Sequence, residues 1–354
     1  MGLTGRRCNF KSLRIDLFLG SQAQQAVFLK GYPMEVSIQG VYQARRVVSR
    51  YLKPTPLIHY PLLDELLGFE SYVKHEDFNP TGAFKIRGGI NLIASLSAEE
   101  KKRGVITATR GNHGQSIALA SRIFGVRCVV GVPEGNNPEK NQAMEAFGAE
   151  LLIHGKDFDE ARERVEEVQA EKGMRYVHSG NEPPLIHGVG TYVLEIVEAL
   201  PDLDYLIVPV GGGSGAASAL TVLRAINPSV KVIGVQAEKA PSIYLSWKKG
   251  SIVKTDSADT IADGLATRVP FGLTFSILRN QIDDIVTVSE HELRLAVFQT
   301  FRTTHHVAEP AAAATVAAAI KLGSQLSGKK VVLALTGCNI DSALLRDILV
   351  EHSP

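Results

Sequence analysis

Four short segments of this 354-residue chain carry side chains whose types and spacing suit chemistry. The first runs Lys74-His75-Glu76-Asp77-Phe78-Asn79-Pro80-Thr81-Gly82-Ala83-Phe84-Lys85-Ile86-Arg87-Gly88-Gly89. Asn79-Pro80 and Thr81-Gly82 mark a turn, and Phe84-Lys85 then opens a helical stretch. A lysine after a strand-to-helix turn stands at the mouth of an α/β sheet, where ligands bind. Partial desolvation there lowers the amine's pKa, which a lysine that forms imines needs. The second segment is Thr109-Arg110-Gly111-Asn112-His113-Gly114-Gln115-Ser116. Backbone N–H groups at a helix start favour an anion, although the segment taken alone also reads as a polar turn with a capping asparagine and a packed or solvated histidine. The third, Gly211-Gly212-Gly213-Ser214-Gly215, follows a β-branched run. Its consecutive glycines let N–H groups converge on a phosphate, and Ser214 adds a hydroxyl donor. The fourth, Thr336-Gly337-Cys338-Asn339, ends another such run, with Cys338 read as a small packed residue.

The glycine segment has a rival reading. Gly211-x-Gly213-x-x-Ala216 satisfies a loose dinucleotide fingerprint, with Glu238 near the end of the next strand as the ribose acid. A nicotinamide enzyme, however, leaves the Lys85 and Asn112 segments without a purpose.

These segments must be positioned by the elements between them. Short apolar runs at Ser71–Lys74, Val105–Ala108, Cys128–Val132, Glu150–Ile153, Tyr205–Val210, Val232–Ala237, Asp284–Val288 and Val331–Leu335 read as strands. Gln115–Phe124, Lys140–Phe147, Phe158–Lys172, Ala216–Ile226, Glu290–Thr303 and Pro310–Leu322 read as helices. Gly125 suits the position after a helix end, and Pro310 suits a first helical turn. The alternation predicts an α/β protein with parallel sheets covered on both faces.

Composition narrows the classes. Charged residues make up 21% and the net charge is +1, so no overall electrostatic footprint points to nucleic acid. No apolar run approaches the ~18 residues of a membrane helix. Cys8, Cys128 and Cys338 are odd in number and widely spaced, which speaks against a disulfide framework and fits a reducing, cytoplasmic compartment. Before Met34 the chain holds Arg6, Arg7, Lys11, Arg14 and Lys30 against Asp16. Residues 1–33 are read as a disordered or over-extended start, with an organelle leader as the alternative.

The string Asn79-Pro80-Thr81-Gly82-Ala83-Phe84-Lys85-Ile86-Arg87-Gly88 resembles the cofactor-linking segment of the threonine dehydratase–serine racemase family, the β-family of pyridoxal-phosphate enzymes. The resemblance extends through the other three segments. Val177-His178-Ser179, Gly188-Val189-Gly190-Thr191, Thr260-Ile261-Ala262-Asp263-Gly264 and Glu309-Pro310 continue it, so that it spans about Met34 to Ile348. It implies pyridoxal 5'-phosphate bound as a Schiff base on Lys85, beside Phe84. Gly211, Gly212, Gly213, Ser214 and Gly215 would form the phosphate cup, Asn112 would meet the ring hydroxyl, and Thr336 would meet the pyridine nitrogen. A neutral hydroxyl at that nitrogen makes the ring a weaker electron sink than a carboxylate partner does, which suits β-elimination over transamination. Thr109, Arg110, Gly111, Asn112 and His113 would hold the substrate.

The fold implied is α/β, a two-domain tryptophan-synthase-β-like arrangement (fold type II) with parallel-rich sheets flanked by helices. Residues 98–181 would form a small domain inserted into a large one made of 34–97 and 182–354. The reaction implied is α,β-elimination from a β-hydroxy amino acid such as L-threonine or L-serine, releasing a 2-oxo acid and ammonia. Arg110 stands where eukaryotic serine racemases have a serine acid–base. A guanidinium is a poor base at neutral pH, which weakens a racemase reading and raises 3-hydroxyaspartate as a substrate alternative. A non-catalytic cofactor-binding protein is the reading from another class. No metal site is expected: Gln236 and Ser242 occupy positions where some relatives carry cation-binding carboxylates. His305, His306 and Glu309 are read as packed or solvated. The chain ends soon after Asn339, so feedback by isoleucine is not expected. A homodimer is implied by the resemblance alone.

Overall fold

The computed structural model describes residues 35–156 and 158–352. The readings made for residues 1–33 lie outside this range. Two sheets organise the chain. The larger has six strands: β1 (Leu57–His59), β2 (Glu70–His75), β7 (Tyr205–Pro209), β8 (Lys231–Ala237), β9 (Asp284–Val288) and β10 (Lys330–Leu335). Their spatial order is β1-β2-β10-β7-β8-β9, all parallel except for the antiparallel edge pair β1–β2. The smaller sheet contains β3 (Val105–Ala108), β4 (Cys128–Val132), β5 (Glu150–Ile153) and β6 (Arg175–Tyr176), in the order β5-β4-β3-β6 and parallel throughout.

The parallel strands read as continuous apolar runs because both faces are covered. Every residue of β3 and β4 is buried, as are Leu206 to Val208 of β7. The alanine run reads out in packing. In the helix Pro310–Leu322 the small side chains Ala312, Ala313, Ala314, Ala317, Ala318 and Ala319 are all buried, which lets its backbone approach both the sheet and the helix Glu290–Thr304. Pro310 occupies its first turn as expected. Gly125, at φ +66, follows the helix Asn112–Ile123 and its cap Phe124, the left-handed position anticipated there.

The sequence reading missed β1 and β6, which have three and two residues. It also missed the helices Pro183–Val189 and Thr191–Ala199, which are buried almost all round and therefore lack a polar stripe. A buried ion network braces the segment that follows β2. Arg87, on the helix Lys85–Ser95, donates from Nε and Nη2 to Glu76 at 2.7 and 2.9 Å and from Nη1 and Nη2 to Glu195 at 2.6 and 2.9 Å. Lys74 Nζ donates to the same Glu195 at 2.6 Å. Two cations and two anions therefore share one interior site, and its guanidinium forks match both carboxylates.

Candidate active site

The turn Asn79–Phe84 carries the chain from the end of β2 into the helix Lys85–Ser95, so Lys85 starts that helix at the C-terminal edge of the large sheet. Two long-range contacts pin the turn. The Phe84 N–H donates to the Thr336 carbonyl at 3.0 Å and the Cys338 N–H to the Gly82 carbonyl at 2.9 Å. Thr336 and Cys338 follow β10, the strand beside β2, so strand pairing itself brings the first and fourth segments together. Ser116, from the second, donates its hydroxyl to the Lys85 carbonyl at 2.7 Å.

Lys85 Nζ donates to Ser214 Oγ at 2.9 Å, joining the lysine to the glycine segment. It also lies 5.1 Å from the centroid of the Phe84 ring. Burial pushes its pKa down to about 8, opposed by the charge of Glu309. A sizeable neutral fraction at neutral pH is what a nucleophilic amine requires.

The glycine segment is built for close approach. Gly213 takes φ +86, a left-handed conformation that suits glycine. A Cβ on Gly211 would stand 1.8 Å from the Gly264 carbonyl oxygen. The helix Ser214–Ile226 begins two residues earlier than its apolar pattern suggested, with Gly213 as a cap that offers no side-chain acceptor. The N–H groups of the first turn are thus left for a ligand. Substituting Gly211 by alanine is expected to displace this loop and weaken capture of pyridoxal phosphate by roughly 10- to 100-fold, the scale of 1–3 kcal/mol of backbone strain. Fluorescence titration of cofactor-free protein measures it.

The second segment behaves differently from a capped turn. Its helix starts at Asn112, with Gly111 as the cap and no capping side chain. Asn112 is committed elsewhere: Nδ2 donates to both Glu309 oxygens at 2.8 and 3.1 Å, and Oδ1 accepts from Asn339 Nδ2 at 2.8 Å. Asn339 also donates to the Thr81 carbonyl at 2.8 Å. Glu309 is buried, which raises its carboxyl pKa. His113 is buried too, and burial and then the Lys85 charge push its pKa down to about 3, so its ring is neutral. Thr109 is buried and its hydroxyl accepts from the Gly111 N–H at 3.1 Å. The Arg110 side chain is exposed and makes no hydrogen bond or ion pair among the described residues.

In the sequence Glu309 reads as a packed or solvated residue before Pro310, and Asn339 as the last residue of the fourth segment. Both hydrogen-bond Asn112, Glu309 through its two oxygens and Asn339 through Nδ2, and no local signal could have paired residues so far apart. The Gln236 and Ser242 side chains have backbone partners: Gln236 Oε1 accepts from the Tyr244 N–H at 2.8 Å, and Ser242 Oγ donates to the Thr267 carbonyl at 2.6 Å. Glu238, the ribose-acid candidate, is exposed and pairs with Lys321 at 3.6 Å.

A lysine with a depressed pKa, hydrogen-bonded to a glycine-built anion cradle and flanked by a second uncapped helix start, defines a class. Such a set of groups suits a phosphorylated carbonyl cofactor. Comparison with known proteins agrees: the profile of the family described as pyridoxal-phosphate dependent enzyme matches residues 48–337, and the chain belongs to that family. It is 38% identical over 315 residues to the L-threonine ammonia-lyase of Thermotoga maritima, covering 89% of this chain and 78% of that one. Among solved structures, it superposes on the processed form of threonine deaminase isoform 2 from Solanum lycopersicum with a TM-score of 0.83 at 30% identity, covering 91% of this chain and 96% of the other. Maize serine racemase gives 0.84 at 27% identity, with 90% and 98% covered. The fold-type expectation holds, with the antiparallel edge strand β1 as an addition to the parallel plan.

Proposed function

We propose that the chain catalyses α,β-elimination of water from a β-hydroxy amino acid, L-threonine or L-serine, yielding a 2-oxo acid and ammonia. The observation that carries this reading is the contact of Lys85 Nζ with Ser214 in a protein whose relatives are named for threonine deamination. The residues present fit the cofactor: a desolvated amine, a glycine cradle under a helix start, and the hydroxyl-bearing Thr336 at the end of β10. Lys85 would hold it covalently, the Gly211–Gly215 loop would hold its phosphate, and Asn112 would hold its ring hydroxyl. Pyridoxal phosphate, when bound, supplies an electron sink that acidifies the α-hydrogen of an attached amino acid.

The protein's own groups then divide the work. The Lys85 amine, whose lowered pKa of about 8 makes its neutral form accessible near neutral pH, accepts the α-proton in that form. N–H groups around Gly111, Asn112 and His113 orient the substrate carboxylate at the start of their helix. Residues 98–181 serve as a small inserted domain that closes over the cleft. Supporting this, Lys140 pairs with Asp263, Asn137 with Asp341, and Glu139 with Ser342, all joining that segment to the rest of the chain. Closure of such a segment excludes water and fixes the carboxylate.

The test is production of ammonia and 2-oxobutanoate from L-threonine, or pyruvate from L-serine, by cofactor-loaded protein. Absence of both products with either substrate would reject the proposal. The unengaged guanidinium of Arg110 favours one second reading, a substrate with an additional carboxylate, so 3-hydroxyaspartate belongs in the same assay. Light scattering of the same sample checks the homodimer.

A further inference from the structure

Outside the cleft, one cluster of side chains has no part in the chemistry above. His75 ends β2, Asp77 lies in the single-turn helix Glu76–Phe78, and His306 follows the helix Glu290–Thr304. His75 Nδ1 and Asp77 Oδ1 are 3.0 Å apart, and His306 Nδ1 and Asp77 Oδ2 are 3.7 Å apart. One ligand atom from each of the three residues lies within 4.8 Å of the other two. The two imidazole rings stand 4.5 Å apart, too close to be indifferent neighbours. A hydrogen-bond chain from Tyr60 through His75 to Asp77 satisfies His75, but it leaves His306 facing the second carboxylate oxygen beyond hydrogen-bond length.

We infer that His75, Asp77 and His306 form a binding site for a divalent transition-metal ion of the zinc type. Two imidazoles and one carboxylate are the donor set of three-ligand zinc sites that keep a fourth position open. This softness excludes calcium and magnesium, which take oxygen ligands. Metal–ligand bonds of about 2.0–2.2 Å place ligands roughly 3.3–3.6 Å apart, so the present spacing closes onto an ion with a shift of about an ångström. His306 can supply that shift. It is 29% exposed, whereas His75 is fully buried and Asp77 is 8% exposed. The same exposure gives the ion its entry path.

Support around the ligands is already in place. Tyr60 Oη is 2.8 Å from His75 Nε2, the nitrogen opposite the one facing Asp77. A metal-bound imidazole donates its other N–H to such a partner, and a tyrosine hydroxyl can accept it. The Tyr60 and Phe78 rings pack at 6.4 and 5.4 Å from His306. The ion would tie the turn leading to Lys85 to the loop leading to Glu309, so its expected effect is on stability more than on turnover.

The test uses full-length, cofactor-loaded protein dialysed against a chelator and titrated with Co²⁺ and Zn²⁺. We expect one tight equivalent per chain, visible Co²⁺ bands of a low-coordinate site displaced by Zn²⁺, and a Tm raised by Zn²⁺. His306→Ala should lose the equivalent, the bands and the Zn²⁺-dependent Tm shift while keeping its elimination activity. Asp77→Asn should weaken binding in the same way, which guards against one variant failing to fold. Tyr60→Phe should weaken binding by about 10-fold. Wild-type protein that binds no equivalent, or binding unchanged in both His306→Ala and Asp77→Asn, overturns the assignment.

Discussion

Lys85→Ala protein is expected to lose elimination activity by about 10⁴-fold or more, since general-base proton transfer alone contributes 10²–10⁴-fold and the covalent anchor goes with it. The loss should be in turnover. Pyridoxal phosphate should still bind, because the Gly211–Gly215 cradle is untouched, but without the visible absorption of the lysine-bound form. Lys85→Arg separates charge from chemistry: it restores a cation, yet a guanidinium neither forms the imine nor gives up its proton near neutral pH. Activity near the wild-type level in either variant would remove Lys85 from the mechanism. The pH dependence has a definite sign. The neutral amine is the reactive form, so cofactor capture by cofactor-free wild-type protein should accelerate as pH rises through about 8 and level off above it. Stopped-flow absorbance measures this, and a rate that falls over the same range would contradict a desolvated lysine.

Arg87→Met should destabilise the fold strongly, by about 3–5 kcal/mol. The guanidinium is 1% exposed and Glu76 is fully buried. Removing the arginine leaves Glu76 and Glu195 facing each other with only Lys74 between their charges, and buried like charges without a partner are expensive. Urea or thermal unfolding of the holo form measures the loss. A double variant, Arg87→Met with Glu76→Gln, should recover part of it, because the stranded charge is then gone. The same network sets an acid limit. Arg87 and Lys74 hold the Glu76 carboxyl below its usual pKa against the opposing effect of burial. That contribution is complete above the ordinary glutamate range and fades as pH falls through the depressed value. The Lys85 face should feel the change as well, since Arg87 lies two residues along the same helix and anchors it.

Much of the architecture is written in local patterns. β3, β4, β5 and β9 occur where short apolar runs between turn signals placed them; β3 and β4 are covered on both faces and read as continuous apolar runs, while β5 and β9 are only partly covered. The helix Glu290–Thr304 carries its own start signal in Ser289 and Glu292, which form a capping box. Lys85 and the glycine loop were legible because each is a contiguous string with a mechanical purpose. Glu309 and Asn339 were not legible as partners of Asn112, from which they are separated by 197 and 227 residues; only the assembled sheet brings them there. The same holds for His306, whose neighbours His75 and Asp77 belong to the other end of the chain. Arg87 looked like one more residue of a motif, and nothing in its surroundings along the chain announced the buried Glu76 and the half-buried Glu195.

The strand order also imposes a timetable. β10 lies between β2 and β7, so the two halves of the larger sheet have no shared ladder until the last strand arrives. During synthesis the lysine turn and the glycine loop emerge well before it, and at about 5–20 residues per second the wait after β7 is on the order of ten seconds. Throughout that interval the edges of β2 and β7 are open, and Phe84 lacks the Thr336 carbonyl that fixes its turn. The nascent chain is therefore most exposed to mispairing and to chaperones while its cofactor pocket is half made, and it becomes competent for cofactor only once translation has delivered β10.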